Sequence, residues 1–226
     1  MAEGKILREL FLIRHGESRG NAGIEGDCPA DSEDPRLTGL GVSQAEKLGI
    51  YLSDKIRFDC VFSSGLRRAV ETARGIIEYQ PGSPALNILP DLCEIGISPD
   101  YPGMNTEALR ELCPSAVIAQ GYEEREKLVV PDETPGENEE RYFSRAETVM
   151  NYLEGLFTEG EKLALVSHAA FLTYLIFYIT GYRDREPFYD YTLANTSVTR
   201  IIFYEKGTYP YGDVAIEYVN NTAHLV

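Results

Sequence analysis

Two hydrophobic periods alternate along this chain. Short, nearly continuous apolar runs suit buried strands. Longer stretches with an apolar residue every third or fourth position suit helices with one buried face. The first strand is read at Arg8 to Ile13 (RELFLI), followed by a glycine-containing loop. Val42, Ala45, Leu48, Leu52 and Ile56 then keep helical spacing, which predicts a helix after Gly41. A second strand covers Phe58 to Phe62, and Ser63-Ser64 are placed to cap the helix that follows through LRRAVETARGIIE. Leu86 to Leu89 reads as a short third strand. Tyr142, Phe143, Ala146, Val149, Met150, Leu153, Leu156 and Phe157 form one apolar stripe, so a long amphipathic helix is predicted between Gly136 and Phe157. Leu163 to Val166 is a fourth, buried strand, and the apolar run from Ala169 to Thr180 is a buried helix. Ser197 to Tyr204 and Val214 to Val219 flank a Gly/Pro turn and read as an edge hairpin.

Strand-then-helix units with short connections predict an α/β fold. The expected form is a three-layer α/β/α sandwich with a mainly parallel sheet and an antiparallel edge strand. No repeat or low-complexity tract interrupts it. The chain reads as one domain over residues 1–226, with a cap or lid inserted at about 95–140. That insert is rich in Pro, Gly and acid, with one short helical pattern near Glu107 to Leu112. From Tyr122 to Arg141 it carries eight Asp or Glu against three Lys or Arg, a composition that also suits a solvated surface loop.

Composition narrows the function. The 226 residues are 43% hydrophobic and 25% charged, which excludes a disordered or fibrous chain. Acids outnumber bases 36 to 21, for a formal charge of −15. Nucleic acid and anionic membrane are therefore poor partners, and a small molecule is expected instead. Cys28, Cys60, Cys93 and Cys113 are scattered, which argues against a zinc knuckle or a disulfide scaffold. No signal peptide is seen at the N-terminus, and twelve apolar residues cannot span a bilayer, so a cytoplasmic protein is expected.

The chemistry follows from where the strands end. In an open parallel sheet, ligands bind beyond the carboxyl ends of the strands. Arg14-His15-Gly16-Glu17-Ser18 follows the first strand, Ser63-Ser64-Gly65-Leu66-Arg67-Arg68-Ala69 the second, and Ser167-His168-Ala169 the fourth. Two of the three histidines and up to three arginines thus converge on one sheet edge. Arginine offers a charged planar fork for phosphate oxygens. Helix N-termini after the same loops offer backbone N–H groups. A neutral histidine nitrogen is a competent nucleophile toward phosphorus. No metal-ligand cluster and no cofactor motif stand out, so the arginines are expected to balance the phosphoryl charge. Arg67 reads as a solvated helix charge and His224 as structural or exposed. Tyr101, Asn105, Tyr122 and Arg125 are candidates to line the pocket, but read mainly as surface positions of the insert.

These motifs resemble the histidine phosphatase superfamily, the phosphoglycerate-mutase-like group, over nearly the whole chain. Arg14-His15-Gly16-Glu17-Ser18 with Asn21 resembles its signature, and Leu37-Thr38, Gly41 and Gln44-Ala45 its next block. Ser63-Ser64-x-Leu66-x-Arg68-Ala69-x-x-Thr72-Ala73, Leu92-x-Glu94 and Val166-Ser167-His168 are similar to its later motifs. Asn195-x-Ser197-Val198 and Asn221 to Leu225 also look familial.

The resemblance implies that His15 attacks phosphorus and becomes phosphohistidine. Arg14, Arg68 and His168 then hold the phosphoryl group, with Asn21 as a further donor. Glu94 is implied as the acid that protonates the leaving oxygen, with its neighbour Asp91 as a rival. Gly20 stands where the family often has an aromatic, and Ala169 where it usually has glycine. The mutases carry an aromatic-rich segment where this chain has the acidic GIEGDCPADSEDPR. The expected activity is therefore metal-independent hydrolysis of phosphomonoesters. The rival readings are a mutase in the same fold and a catalytically weak phospho-ligand binding module.

Overall fold

The computed structural model describes residues 4–26, 34–101, 103–132, 139–182 and 191–226. Cys28, part of the acidic stretch after Gly23, and the Gly136 start of the long helix lie outside those residues. Seven strands form one sheet: β1 (Ile6–Arg14), β2 (Cys60–Ser63), β3 (Leu86–Ile88), β4 (Ala116–Ile118), β5 (Glu161–Ser167), β6 (Val198–Tyr204) and β7 (Val214–Asn221). Their order is β4-β3-β2-β5-β1-β6-β7. β1 to β5 run parallel to one another, while β6 pairs antiparallel with both β1 and the edge strand β7. The α/β expectation holds, and the predicted hairpin supplies both antiparallel strands.

Alternation along the strands builds two cores. Leu10 and Leu12 of β1 face the helices α4 (Glu139–Leu156) and α5 (Ala169–Thr180), with Phe62, Leu163 and Leu165 beside them. Phe11 and Ile13 face the opposite way, toward α1 (Gly39–Ser53) and α2 (Arg67–Ile77), together with Val61, Ala164 and Val166. One register step separates the two cores, so the sheet is buried on both faces.

Three local expectations need correction. Val42 is 46% exposed and Ile56 lies beyond α1, whose buried stripe is Gly41, Ala45, Leu48, Gly49 and Leu52. The cause is the close approach of α1 and α2, where a Cβ on Gly49 would sit 2.3 Å from the Gly75 carbonyl oxygen. Ser63 and Ser64 do not cap α2. The Asp34 carboxylate does, accepting from the Arg67 N–H at 2.9 and 3.1 Å. Within the insert, a helix α3 (Thr106–Leu112) capped by Asn105 leads into β4, so part of that segment extends the sheet. A three-residue strand with Val117 exposed leaves no periodicity to read. Residues 119–132 then run back toward the other strand ends: the Leu128 carbonyl lies on Gly65, and Asp132 accepts from the Gly96 N–H.

Gly41 is the tightest joint beneath the first motif. A Cβ there would lie 2.0 Å from the Glu17 carbonyl oxygen. Gly41→Ala should lower the unfolding free energy by about 1–3 kcal/mol or more, read as a lower urea midpoint. An unchanged midpoint would show that the Glu17 backbone can move aside.

Candidate active site

The register of the sheet assembles the site. Arg14 on β1 pairs with Ser167 on β5, and Ser63 on β2 pairs with Val166. Two ladder bonds carry on past the strands: the His15 N–H donates to the Ser167 carbonyl at 3.0 Å, and the Ser64 N–H to that of Val166 at 3.0 Å. The three loops therefore start side by side. His15 and His168 meet with ring centroids 5.0 Å apart.

His15 is 3% exposed. Its Nδ1 lies 2.7 Å from the Gly16 carbonyl, which can only accept, so Nδ1 carries the proton. Nε2 is left with its lone pair and accepts from Arg68 Nε at 3.2 Å. The Gly16 N–H donates to the Thr72 hydroxyl, which in turn donates to the Arg68 carbonyl at 2.7 Å. The first motif and the arginine helix are thus locked together. Burial, then the positive charge of Arg68, push the imidazole well below its ordinary pKa, and Arg14 adds to this; the Gly16 bond opposes it.

His168 is fully buried at the start of α5. The Ser64 hydroxyl accepts from the Leu66 N–H and lies 2.9 Å from His168 Nε2. The other ring nitrogen of His168, Nδ1, is buried with no hydrogen-bond partner among the described residues. Burial first, then Arg68, His15, Arg145 and Arg14, hold this histidine well below its usual pKa.

Arg14 donates to the Leu193 carbonyl at 2.6 Å. Burial lowers its pKa and the Glu94 carboxylate opposes that shift, so the two groups share one electrostatic site. Arg68 faces the Asp34 carboxylate at 3.6 Å, with both side chains largely buried. Arg67 instead pairs with Glu71 at 2.9 Å, half in solvent, as a helix surface charge does. Glu94 Oε1 accepts from the N–H groups of Ile95 and Phe171, each at 3.0 Å. Both helix N-termini expected to serve the ligand are thus occupied in part by the protein's own carboxylates, Asp34 on α2 and Glu94 on α5.

Asp91 sits elsewhere. Its carboxylate is 3.8 Å from Arg125, too long for a hydrogen bond, and it holds the Tyr122 hydroxyl. Burial and that carboxylate push the Tyr122 pKa well up. Tyr122 and Arg125 therefore belong to Asp91, and Asn105 to the α3 cap. Tyr101 bonds Asp34 behind Arg68. Asn21 is exposed, and its Oδ1 accepts from the Ser18 N–H and from Asn195 Nδ2 at 3.1 Å. Asn195 also donates to the His15 carbonyl at 3.0 Å. His224 is buried and bonds Thr196, which stands at φ 56 and donates to the Arg14 and His15 carbonyls.

The reading from sequence missed Asp34, which lies 34 positions from Arg68 with no periodic signal to connect them, and Arg145, described below. No group of three or more metal-ligating side chains is found among the described residues, nor a helix long and apolar enough to cross a membrane.

All three histidines share one direction of shift, with His224 lowered to about 4 by burial and Lys47. Each takes up its proton near pH 6.5 when unfolded, but only at lower pH when folded. The unfolded state then binds more protons, so stability falls as pH falls below about 6.5. The expected slope approaches about 1.4 kcal/mol per pH unit for each histidine. Asp34, raised by burial, acts in the opposite sense, but nearer the carboxylate range. Urea unfolding from pH 7 to 5 should show the loss, and His224→Gln should reduce its slope; a flat profile contradicts the assignment.

Comparison with known proteins agrees with this geometry. The sequence model of the histidine phosphatase superfamily (branch 1) matches residues 10–210. A 2,3-bisphosphoglycerate-dependent phosphoglycerate mutase of Methylorubrum populi is 29% identical over 178 residues, covering 77% of this chain and 80% of that protein. A 5''-phosphoribostamycin phosphatase of Niallia circulans is 26% identical over 220 residues, covering 96% and 97%. The crystal structure of a phosphoserine phosphatase mutant from Entamoeba histolytica, in complex with phosphoserine, shares the fold. Its TM-score is 0.60 at 23% identity, covering 97% of this chain and 100% of that one. With its histidines, arginines and strand-end loops so arranged, this chain belongs to the histidine phosphatase superfamily.

Proposed function

We propose that the protein hydrolyses phosphomonoesters through a phosphohistidine on His15, without a metal ion. The observation that carries this reading is the neutral His15, with its lone pair on Nε2 beside Arg68 and its ring against His168. Nε2 attacks phosphorus, the N–P bond forms and the ester P–O bond breaks. Arg14, Arg68 and His168 Nδ1–H hold the phosphoryl oxygens, and the engagement of Asn21 Oδ1 leaves its Nδ2 to donate to them as well. In-line transfer needs mainly this positioning and charge compensation. Glu94 relays to the leaving oxygen the proton that the ester monoanion brings in. Its Oε1 already accepts two N–H groups, so Oε2 is the relaying oxygen. The same oxygen then takes a proton from water, which attacks phosphorus, releases phosphate and restores neutral His15.

Glu94 is preferred to Asp91 because its charge acts on Arg14, whereas Asp91 is engaged by Tyr122 and Arg125. Part of the 95–140 insert, residues 119–132, would act as the cap that governs access to the site. Small phosphate esters are the expected substrates, in line with the names of the relatives. A reducing compartment such as the cytoplasm suits Cys60, Cys93 and Cys113, which are free thiols. The mutase reading draws on the Methylorubrum relative, and it differs only in where the phosphoryl group goes.

Brief exposure to a radiolabelled phosphomonoester and an alkaline quench should leave acid-labile label on the wild type and none on His15→Ala. An acid-stable adduct, or label that survives in His15→Ala, overturns the mechanism. Incubation with 3-phosphoglycerate should give free phosphate, with or without EDTA. Formation of the isomer instead would favour the mutase.

A further inference from the structure

Arg145 is a cation on the buried face of α4. It falls three residues after Tyr142 and four before Val149, inside the apolar stripe, and is 7% exposed. Among the described residues no carboxylate comes within ion-pair distance of it. Its guanidinium instead grips one piece of backbone. Nη2 donates to the Cys93 carbonyl at 3.1 Å, Nη1 to the Cys93 sulfur at 3.1 Å, and both reach the Glu94 carbonyl at 3.4 Å. The guanidinium carbon lies 4.4 Å from the ring centroid of Phe171. The N–H of that same Phe171 holds Glu94 Oε1.

Burying a cation without a counter-ion is costly, and a neutral amide could satisfy a single carbonyl. What only the guanidinium fork provides is a rigid link from two successive carbonyls to an aromatic face. Glu94 is thus fixed at both ends: its main chain by Arg145, its carboxylate by the first turn of α5. The Cys93 sulfur adds a third tie, since it also bonds the Val130 backbone in both directions at 3.3 Å.

We infer that Arg145 is the positioning residue of the general acid, holding the Cys93–Glu94 backbone against Phe171 so that Glu94 Oε2 meets the leaving-group oxygen. This rests on the reading of Glu94 as the acid. Arg145 touches no reacting atom, so its effect on phosphoryl transfer to His15 must appear only where the leaving oxygen needs a proton.

The test reads the single-turnover rate of phosphohistidine formation from an alkyl ester, O-phosphoserine, and from p-nitrophenyl phosphate, whose leaving group departs without a proton. Arg145→Met should lower that rate for the alkyl ester by about 10- to 100-fold, the scale set by misplacing a catalytic group by about 1 Å. It should leave that rate for the aryl ester nearly unchanged. Arg145→Lys, which keeps the charge but not the fork, should show the same selectivity to a smaller degree, and it serves if the Met variant does not fold. In the Glu94→Gln background, Arg145→Met should add no further selective loss. Equal losses on both esters, no loss, or a fully additive selective loss would overturn the inference. If Glu94→Gln itself lowers both esters equally, it is the acid assignment that fails, not the positioning by Arg145 alone.

Discussion

The hydrogen bond from His15 Nδ1 to the Gly16 carbonyl is the constraint on which the rest of the site depends. A backbone carbonyl cannot donate, so it fixes the proton on one nitrogen and the lone pair on the other. Burial and two arginines then keep the ring neutral at a pH where an exposed histidine would be partly charged. In the proposed mechanism, the same arginines that disfavour a proton on His15 favour a phosphoryl group beside it, so nucleophilicity and anion binding come from one arrangement of charge.

Two carboxylates keep that arrangement in place. Asp34 caps α2 and faces Arg68, while Glu94 caps α5 and acts on Arg14. Each sits at a helix N-terminus, where an anion is stabilised by the unpaired N–H groups and the dipole. The formal charge of −15 describes the outer surface of the protein. The site is a small cationic exception, compensated locally by these two acids.

Much of this was legible in the sequence because it is local or periodic. The strands carrying Arg14, Ser63 and Ser167 announce themselves as apolar runs, and parallel topology places their ends together. The helix α5 and its histidine follow from one unbroken apolar stretch. What stayed hidden depends on contacts between distant segments. Asp34 reaches Arg67 and Arg68 across 33 and 34 residues, and Asn195 reaches His15 across 180. The strand Ala116–Ile118 is too short for its period to show. Arg145 did leave a trace, as a charge in an otherwise apolar stripe, but what makes it more than a surface cation is its contact with Cys93 and Glu94. The capping role given to Ser63-Ser64 fell to Asp34 because the Ser64 hydroxyl is engaged with Leu66 and His168.

The most direct test of the account is the protonation state of His15 in the free protein. Nitrogen NMR of the histidine rings, assigned with His15→Asn, reports tautomer and charge together. A neutral ring protonated on Nδ1 at pH 7, remaining neutral well below pH 6.5, is the expected result. A ring protonated on Nε2, or an imidazolium with an ordinary pKa, would contradict it.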